Sequence, residues 1–180
     1  GWSPYVSYAE SFETINDTNA AGELFKPKRG KQVETGVKWQ PGDRRISASA
    51  SIYRLVEKNR LATDPDNPDF SIQRGEVTVK GAELEMAADL RDWNLSAQYS
   101  FTDAKVTKTT GPDIRYKGEQ LQSEPRHSAA VWALHNFNHM GLAGFRAGVG
   151  ARYAGRNWDG IGEVSVPSVT LFDALLGYDI

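Results

Sequence analysis

Apolar and polar residues alternate along most of the chain, and helical spacing is nearly absent. A period of two is the signature of strands with two different faces. The clearest run spans 143–153, where Ala143, Phe145, Ala147, Val149, Ala151 and Tyr153 share one face and Gly144, Arg146, Gly148, Gly150 and Arg152 the other. Trp93, Leu95, Ala97, Tyr99 and Phe101 oppose Asn94, Ser96, Gln98, Ser100 and Thr102 in the same way. Ile46, Ala48, Ala50 and Ile52 oppose Ser47, Ser49, Ser51 and Tyr53, and Phe172, Ala174, Leu176 and Tyr178 oppose Asp173, Gly177 and Asp179, with Leu175 out of step. The pattern predicts about eight strands, near 3–11, 30–40, 44–58, 71–89, 93–108, 125–138, 143–156 and 166–180. Several reach roughly 14 residues or more, well beyond the usual five or six of a globular sheet.

The connections carry as much information as the strands. Pro41-Gly42-Asp43, Leu90-Arg91-Asp92 and Asn138 to Leu142 are tight, and the four that alternate with them, near 12–29, 59–70, 109–124 and 157–165, are long and polar. In an antiparallel up-and-down meander this alternation places every long loop at one end, as in outer-membrane barrels. The apolar faces are rich in Ala, with Trp39, Trp93, Phe137, Tyr153 and Tyr178 near strand ends, where rings fit an interfacial girdle. The opposite faces bear mid-strand charges, namely Glu83, Glu85, Arg146, Arg152 and Asp173, which suit a wide, wet lumen. A soluble antiparallel sandwich, or an eight-stranded lipocalin-like cup, is the alternative reading of the same pattern.

Composition by itself describes an ordinary soluble domain of 180 residues, 39% hydrophobic, with a mean hydropathy of -0.52. Because a barrel wall turns only every second residue toward lipid, this average is two alternating populations. The net charge of -2 offers no basic face for nucleic acid. The absence of Cys excludes a disulfide scaffold and thiolate metal sites. Ser128 to Leu134, the longest uncharged apolar stretch, is far short of the roughly 18 residues a membrane helix needs. Gly1-Trp2-Ser3-Pro4 leads directly into patterned sequence, with no leader expected at this start.

Seven collinear segments then narrow the class: PYVSYAESF (Pro4 to Phe12), FKPKRGKQVETGVK (Phe25 to Lys38), GEVTVKGAELE (Gly75 to Glu85), SAQYSFTDAKVTK (Ser96 to Lys108), PRHSAAVWALHNF (Pro125 to Phe137), GVGARYAG (Gly148 to Gly155) and VPSVTLFDALLGYDI (Val166 to Ile180). In order and spacing they resemble the late strands of TonB-dependent siderophore receptors of the ferric-hydroxamate (ferrichrome) type, over essentially the whole chain. The resemblance implies an all-β fold: a meander of about eight strands that forms part of a 22-stranded transmembrane outer-membrane barrel closed around a plug. Residues 1–180 would then be a late piece of that wall, without the plug, the TonB box, the early strands or the last pair. It also implies capture of ferric siderophore at the external loops of a Gram-negative outer membrane, followed by TonB-driven plug movement. Partners would be the siderophore, outer-membrane lipid and, through the plug, the TonB complex. A TonB-dependent barrel for cobalamin or a sugar, a passive porin-like barrel and a lipocalin-like binding module are the other functions to separate.

A siderophore wraps its iron in its own oxygen ligands, so neither a resident cofactor nor protein metal ligands are expected. Aromatic and polar groups that grip an organic shell are expected instead. Phe70, Tyr116 (with Arg115 and Lys117) and Trp158 (beside Arg156) lie near roots of the long loops and are the ligand-binding candidates. His127 and His135 fall on one strand face and His139 in a turn, with no carboxylate spaced to complete a metal site. Glu83 and Glu85 stand roughly 7 Å apart on one face. That separation suits a glycosidase pair, but a lumenal charge ladder answered by Arg on other strands is the reading preferred. Asp64-Pro65-Asp66-Asn67-Pro68-Asp69 lacks the turn Gly and distal Glu of a calcium loop and reads as a solvated external loop. Gly148, Gly150 and Gly155 alternate within a strand rather than opening a helix, so they leave room in the wall instead of cradling phosphate. No Ser, His and Asp order suggests a nucleophile, and no enzyme is expected.

Overall fold

The computed structural model describes residues 1–64, 67–109, 117–121, 124–158 and 164–179, and at 62, 63 and 74 the backbone alone. Eight long strands form one antiparallel sheet: β1 (Trp2–Glu13), β2 (Lys28–Trp39), β3 (Ile46–Thr63), β4 (Ser71–Leu90), β5 (Trp93–Lys108), β6 (His127–Asn136), β7 (Phe145–Ala154) and, after a two-stranded hairpin of β8 (Asn157–Trp158) and β9 (Ser165–Val166), β10 (Val169–Tyr178). Their order in space is their order in the chain, β1-β2-β3-β4-β5-β6-β7-β10. The sheet is an open meander: β1 and β10 are its two edges and do not pair with each other.

Turn chemistry explains the tight end. Pro41 accepts from Arg44 N (3.0 Å), closing the β2–β3 turn, and Asp43 Oδ1 caps Arg45 N (3.3 Å). Arg91 and Asp92 alone join β4 to β5, with Arg91 at φ 41, the left-handed geometry that two-residue hairpins demand. Between β6 and β7 a single 3-10 turn, Asn138–Met140, ends in Gly141 at φ 79. Asn138 Oδ1 there holds Gly144 N (2.9 Å). All four long connections emerge at the opposite end, as the alternation of connection lengths predicts.

Two boundaries differ from the sequence reading. The strand expected to stop at 58 continues to Thr63, so the loop expected over 59–70 shrinks to 64–70. Ladder pairing runs through Arg60↔Arg74 to Thr63↔Ser71 because backbone hydrogen bonds need no apolar face. The connection expected to be a long polar loop near 157–165 contains the short β8–β9 pairing, with Trp158 opposite Ser165.

Register assigns every side chain to a face. Tyr53 and Gly81, Ser51 and Glu83, Glu85 and Gln98, and Ser100 and Ser128 are opposed pairs on the polar face. Ile52 and Ala82, Leu84 and Tyr99, and Ala97 and Val131 are opposed pairs on the apolar one. The apolar face has nothing over it: Val6, Ile52, Leu84, Val149, Phe172 and Leu176 are all more than half exposed, Phe172 at 81%. Among the described residues the buried hydrophobic cluster is only Val77, Ala104, Val106 and Leu121, at the long-loop end. A sheet with so small a core and so large an apolar face has the surface of a membrane wall.

Rings edge that face at two heights. At the tight-turn end Trp2 meets Trp39 (centroids 5.9 Å apart), and His135 sits between Trp93 (4.5 Å) and Phe137 (4.4 Å). Toward the long loops, His127 packs on Phe101 (5.3 Å) and its Nδ1 is 2.8 Å from the Tyr99 hydroxyl. Trp93 pairs with His135 and Phe101 with His127, so eight residues, about 26 Å of strand, separate the two belts. With the usual tilt this spans about 20 Å of height, close to the roughly 25 Å band of outer-membrane barrels.

Candidate functional site

The polar face, the inner wall of the barrel section, is paved by three rings that lie over glycines. A Cβ on Gly36 would stand 2.8 Å from the Tyr5 ring, one on Gly81 would overlap Tyr53, and one on Gly150 would overlap Trp132. Sequence reading saw Gly148 and Gly150 as room left in the wall, and Trp132 fills that room. Polar atoms are tied across strands: Tyr5 donates to Glu34 Oε1 (2.6 Å), Ser100 and Ser128 hydroxyls meet (2.7 Å), and Ser49 donates to Glu85 Oε2 (3.2 Å).

Charges on this face are placed differently from the ladder expected. Arg152 shares a depression with Glu83 and Glu85, yet its two-pronged ion pair is with Asp173, Nε to Oδ2 at 2.9 Å and Nη2 to Oδ1 at 3.0 Å. Asp173 lies across from Gly150, two register positions from the Arg152–Leu171 pair and on the same face, so Arg152 reaches the neighbouring strand rather than the distant glutamates. Among the described residues no group of three His, Asp or Glu could hold a metal ion.

At the long-loop end, β3 and β4 rise above their neighbours and hold the β1–β2 connection against themselves. Gln73 is the clasp: its Oε1 accepts from Lys26 N (2.9 Å), and its Nε2 donates to Lys26 O (2.5 Å) and to Asn59 O (3.0 Å). Asn59, at φ 60, donates from Nδ2 to Pro27 O (2.8 Å). A side-chain amide thereby replaces a missing ladder partner. Sequence reasoning missed this clasp, because Gln73 and Lys26 are 47 residues apart and no pattern in the chain links them.

The distal edge of β5 is covered in a similar way. Gly118 N donates to Val106 O (2.8 Å) and Leu121 N to Ala104 O (2.8 Å), which seats Leu121 on the small buried cluster. Behind it, Glu76 is buried and takes Lys108 Nζ (2.9 Å) and Thr107 Oγ1 (3.0 Å). The Lys108 ammonium holds the Glu76 carboxyl below its ordinary value, against the opposing effect of burial. Glu76 lies above the apolar band, in the part of β4 that overhangs β6. A depressed folded value means stabilisation that is full above the ordinary glutamate value of about 4.3 and is lost as pH falls through the lower folded value. Glu76→Gln is therefore expected to lower the unfolding temperature at pH 7 and to match the wild type once Glu76 is protonated. Thermal unfolding of both proteins across pH 2 to 7 checks this, and a gap that stays constant with pH would refute it.

Of the three ligand candidates, two are placed. Phe70 stands at the β3–β4 turn, 44% exposed, its backbone bonded to Asn67 O and to Asp64 N (2.9 Å each). Trp158 is 36% exposed in β8, on the connection that follows β7. Both belong to the long-loop end, set apart by the three strand spacings between β4 and β7, roughly 14 Å. Tyr116 lies outside the described residues, as do Pro65 and Asp66 of the acidic segment.

Among the described residues no helix is long and apolar enough to cross a membrane, a statement that does not bear on strands. The family model described as TonB dependent receptor-like, beta-barrel, matches residues 1–180. The ferrichrome outer membrane transporter/phage receptor of Escherichia coli K12 is 38% identical over 182 residues, covering 100% of this chain and 24% of that protein. The ferrioxamine B receptor of Salmonella typhimurium SL1344 is 34% identical, covering 100% and 25%. Among solved structures, the siderophore receptor PiuA from Acinetobacter baumannii superposes with a TM-score of 0.82 at 26% identity, over 99% of this chain and 28% of that one. The chain spans about a quarter of the length of the curated relatives it matches. A whole-chain family match, on a sheet polar on one face and banded with apolar residues on the other, leads to one assignment: the chain belongs to the TonB-dependent receptor β-barrel family.

Proposed function

We propose that the chain is one section of the wall of an outer-membrane receptor of a Gram-negative bacterium that takes up a ferric siderophore with energy from TonB. The observation that carries this reading is the unbroken match of residues 1–180 to the receptor barrel family. Relatives named for ferrichrome and ferrioxamine B supply the ligand class. Further strands would join β1 and β10 and close the wall, and a plug in the lumen would carry the TonB contact. The section contributes wall and loops; its role is binding and passage, not catalysis, in keeping with a family of receptors and transporters.

The site would lie at the long-loop end, where the rings of Phe70 and Trp158, together with Tyr116, would grip the organic shell of the siderophore. The Gln73 clasp would hold the β1–β2 connection upright beside it. Loss of a buried aromatic anchor commonly costs 2 kcal/mol or more, about 30-fold in affinity. Trp158→Ala with Tyr116→Ala in the intact receptor is therefore expected to weaken ferric-hydroxamate binding by at least this factor, with Phe70→Ala adding a smaller loss. Equilibrium binding of a ferric hydroxamate to purified receptor measures it. Unchanged affinity in all three variants would remove these residues from the site. For the function itself, deletion of the gene should abolish growth on ferric hydroxamate as sole iron source. Growth that persists would defeat the proposal.

A further inference from the structure

The polar face holds a hollow that capture at the outer loops does not use. It measures about 600 Å³ and has Gln98, Trp132 and Arg152 among the residues around it. Across the sheet, Ser96 pairs with Trp132 and Trp132 with Gly150. The indole spans two glycines of β7: a Cβ on Gly148 would stand 2.7 Å from its Cζ2, and one on Gly150 would overlap its ring. With one face down on bare backbone, the indole turns its other face to the lumen. Three residues of β6, about 10 Å of strand, separate Trp132 from His135 in the tight-turn belt, and five separate it from His127. The hollow thus lies in the half of the wall nearer the tight turns, away from Phe70 and Trp158.

Its charges balance. Lys38 and Arg152 bring two positive charges and Glu85 and Asp173 two negative ones. Arg152 and Asp173 neutralise each other in their two-pronged pair. Glu85 accepts from Ser49, and the Lys38 ammonium stands 5.3 Å from the centre of the Tyr5 ring. The side chains of Ser96 and Gln98 make no hydrogen bond among the described residues. An open aromatic face beside unengaged neutral polar groups, with no net charge around them, suits an uncharged organic surface. A ferric ion held by three hydroxamates presents such a surface, because three single negative charges cancel its own. Three catecholates on the same ion would leave three negative charges, which this hollow does not answer.

We infer that this hollow is an inner station for a charge-neutral ferric hydroxamate, filled after the ligand leaves the outer loops and the plug moves. Trp132 lies against the apolar part of the organic shell, and Ser96 and Gln98 donate to its carbonyl oxygens. The inference rests on the uptake reading above and adds to it a second site on the path through the wall. It makes Trp132 a residue of passage and not of capture.

The intact receptor is tested in cells with a tritium-labelled ferric trihydroxamate. With Gln98 replaced by photoreactive benzoylphenylalanine, ultraviolet light is expected to attach the label in energised cells and not after an uncoupler collapses the proton gradient. Attachment without energy overturns the inner station, as does continued uptake with no attachment. Trp132→Ala is expected to lower the maximal uptake rate about tenfold, roughly the factor a specific ring contact carries. Affinity at the outer site, measured on de-energised cells, stays within about twofold of the wild type, and Trp132→Phe retains most of the uptake. Uptake by Trp132→Ala equal to that of the wild type overturns the proposal. So does an equal loss of outer affinity, which would mark a damaged wall. Heat-modifiable gel mobility verifies that each variant forms the barrel. Failure of the unaltered receptor to take up the label would instead defeat the transport proposal, so the two failures are read from different samples.

Discussion

Leu84→Arg in the intact receptor is expected to destabilise the barrel by about 2–4 kcal/mol, while Gln98→Arg leaves it within about 0.5 kcal/mol. The two positions are near neighbours on adjoining strands, Leu84 opposite Tyr99 and Gln98 opposite Glu85. They differ in face. Leu84 is 53% exposed in the apolar band, where a cation would have to leave water or distort the bilayer. Gln98 looks into the polar lumen beside Glu85, where an added guanidinium finds water and a carboxylate. If the wall were an ordinary soluble sheet, Leu84 would simply be an exposed leucine and its replacement nearly neutral. Reversible urea unfolding in lipid vesicles, followed by Trp fluorescence, measures the difference. Equal effects at the two sites would count against lipid on the Leu84 face.

Gly36→Val is the second large effect, expected to cost about 1–3 kcal/mol through overpacking. A Cβ on Gly36 would come within 2.6 Å of the Ala50 carbonyl oxygen and 2.8 Å of two Tyr5 ring atoms. The ring can swing aside, but the carbonyl belongs to the β3 backbone and is fixed by the sheet. Gly36→Val combined with Tyr5→Ala should therefore recover only part of the loss. Gly42→Ala is the control. Gly42 sits in the β2–β3 turn with open space where a Cβ would stand, so a shift within about 0.5 kcal/mol is expected. The same unfolding measurement compares the three proteins, and complete rescue by Tyr5→Ala would show that the carbonyl contact is unimportant.

Much of this architecture is legible in the residues. Strict alternation in 93–102 and 143–153 places Leu95, Ala97, Val149 and Ala151 on one face, since successive side chains of a strand must point to opposite sides. Pro41-Gly42-Asp43 and Arg91-Asp92 read as tight turns because proline, glycine and short polar side chains supply the geometry such turns need. Placement of Phe70 and Trp158 at the long-loop end follows from connection lengths alone. The end of β3 was not readable in this way. Residues 59–63, Asn-Arg-Leu-Ala-Thr, look like loop, and they stay in the sheet because β4 offers backbone partners as far as Thr63.

Faces, strand count, turn positions and the end that carries the long loops were determined by the sequence itself, because each is a local consequence of a two-residue period or of a turn-forming residue. Partnerships between strands were decided only by the tertiary structure. Gln73 clasping Lys26, Arg152 choosing Asp173 over the glutamates, and Trp132 lying over Gly150 all depend on register between segments distant in the chain. Register is set by the whole ladder at once, and a one-residue slip would turn every one of these side chains to the other face. The low mean hydropathy of the chain is resolved at that same level, since only the assembled sheet gathers its scattered apolar residues into a single band.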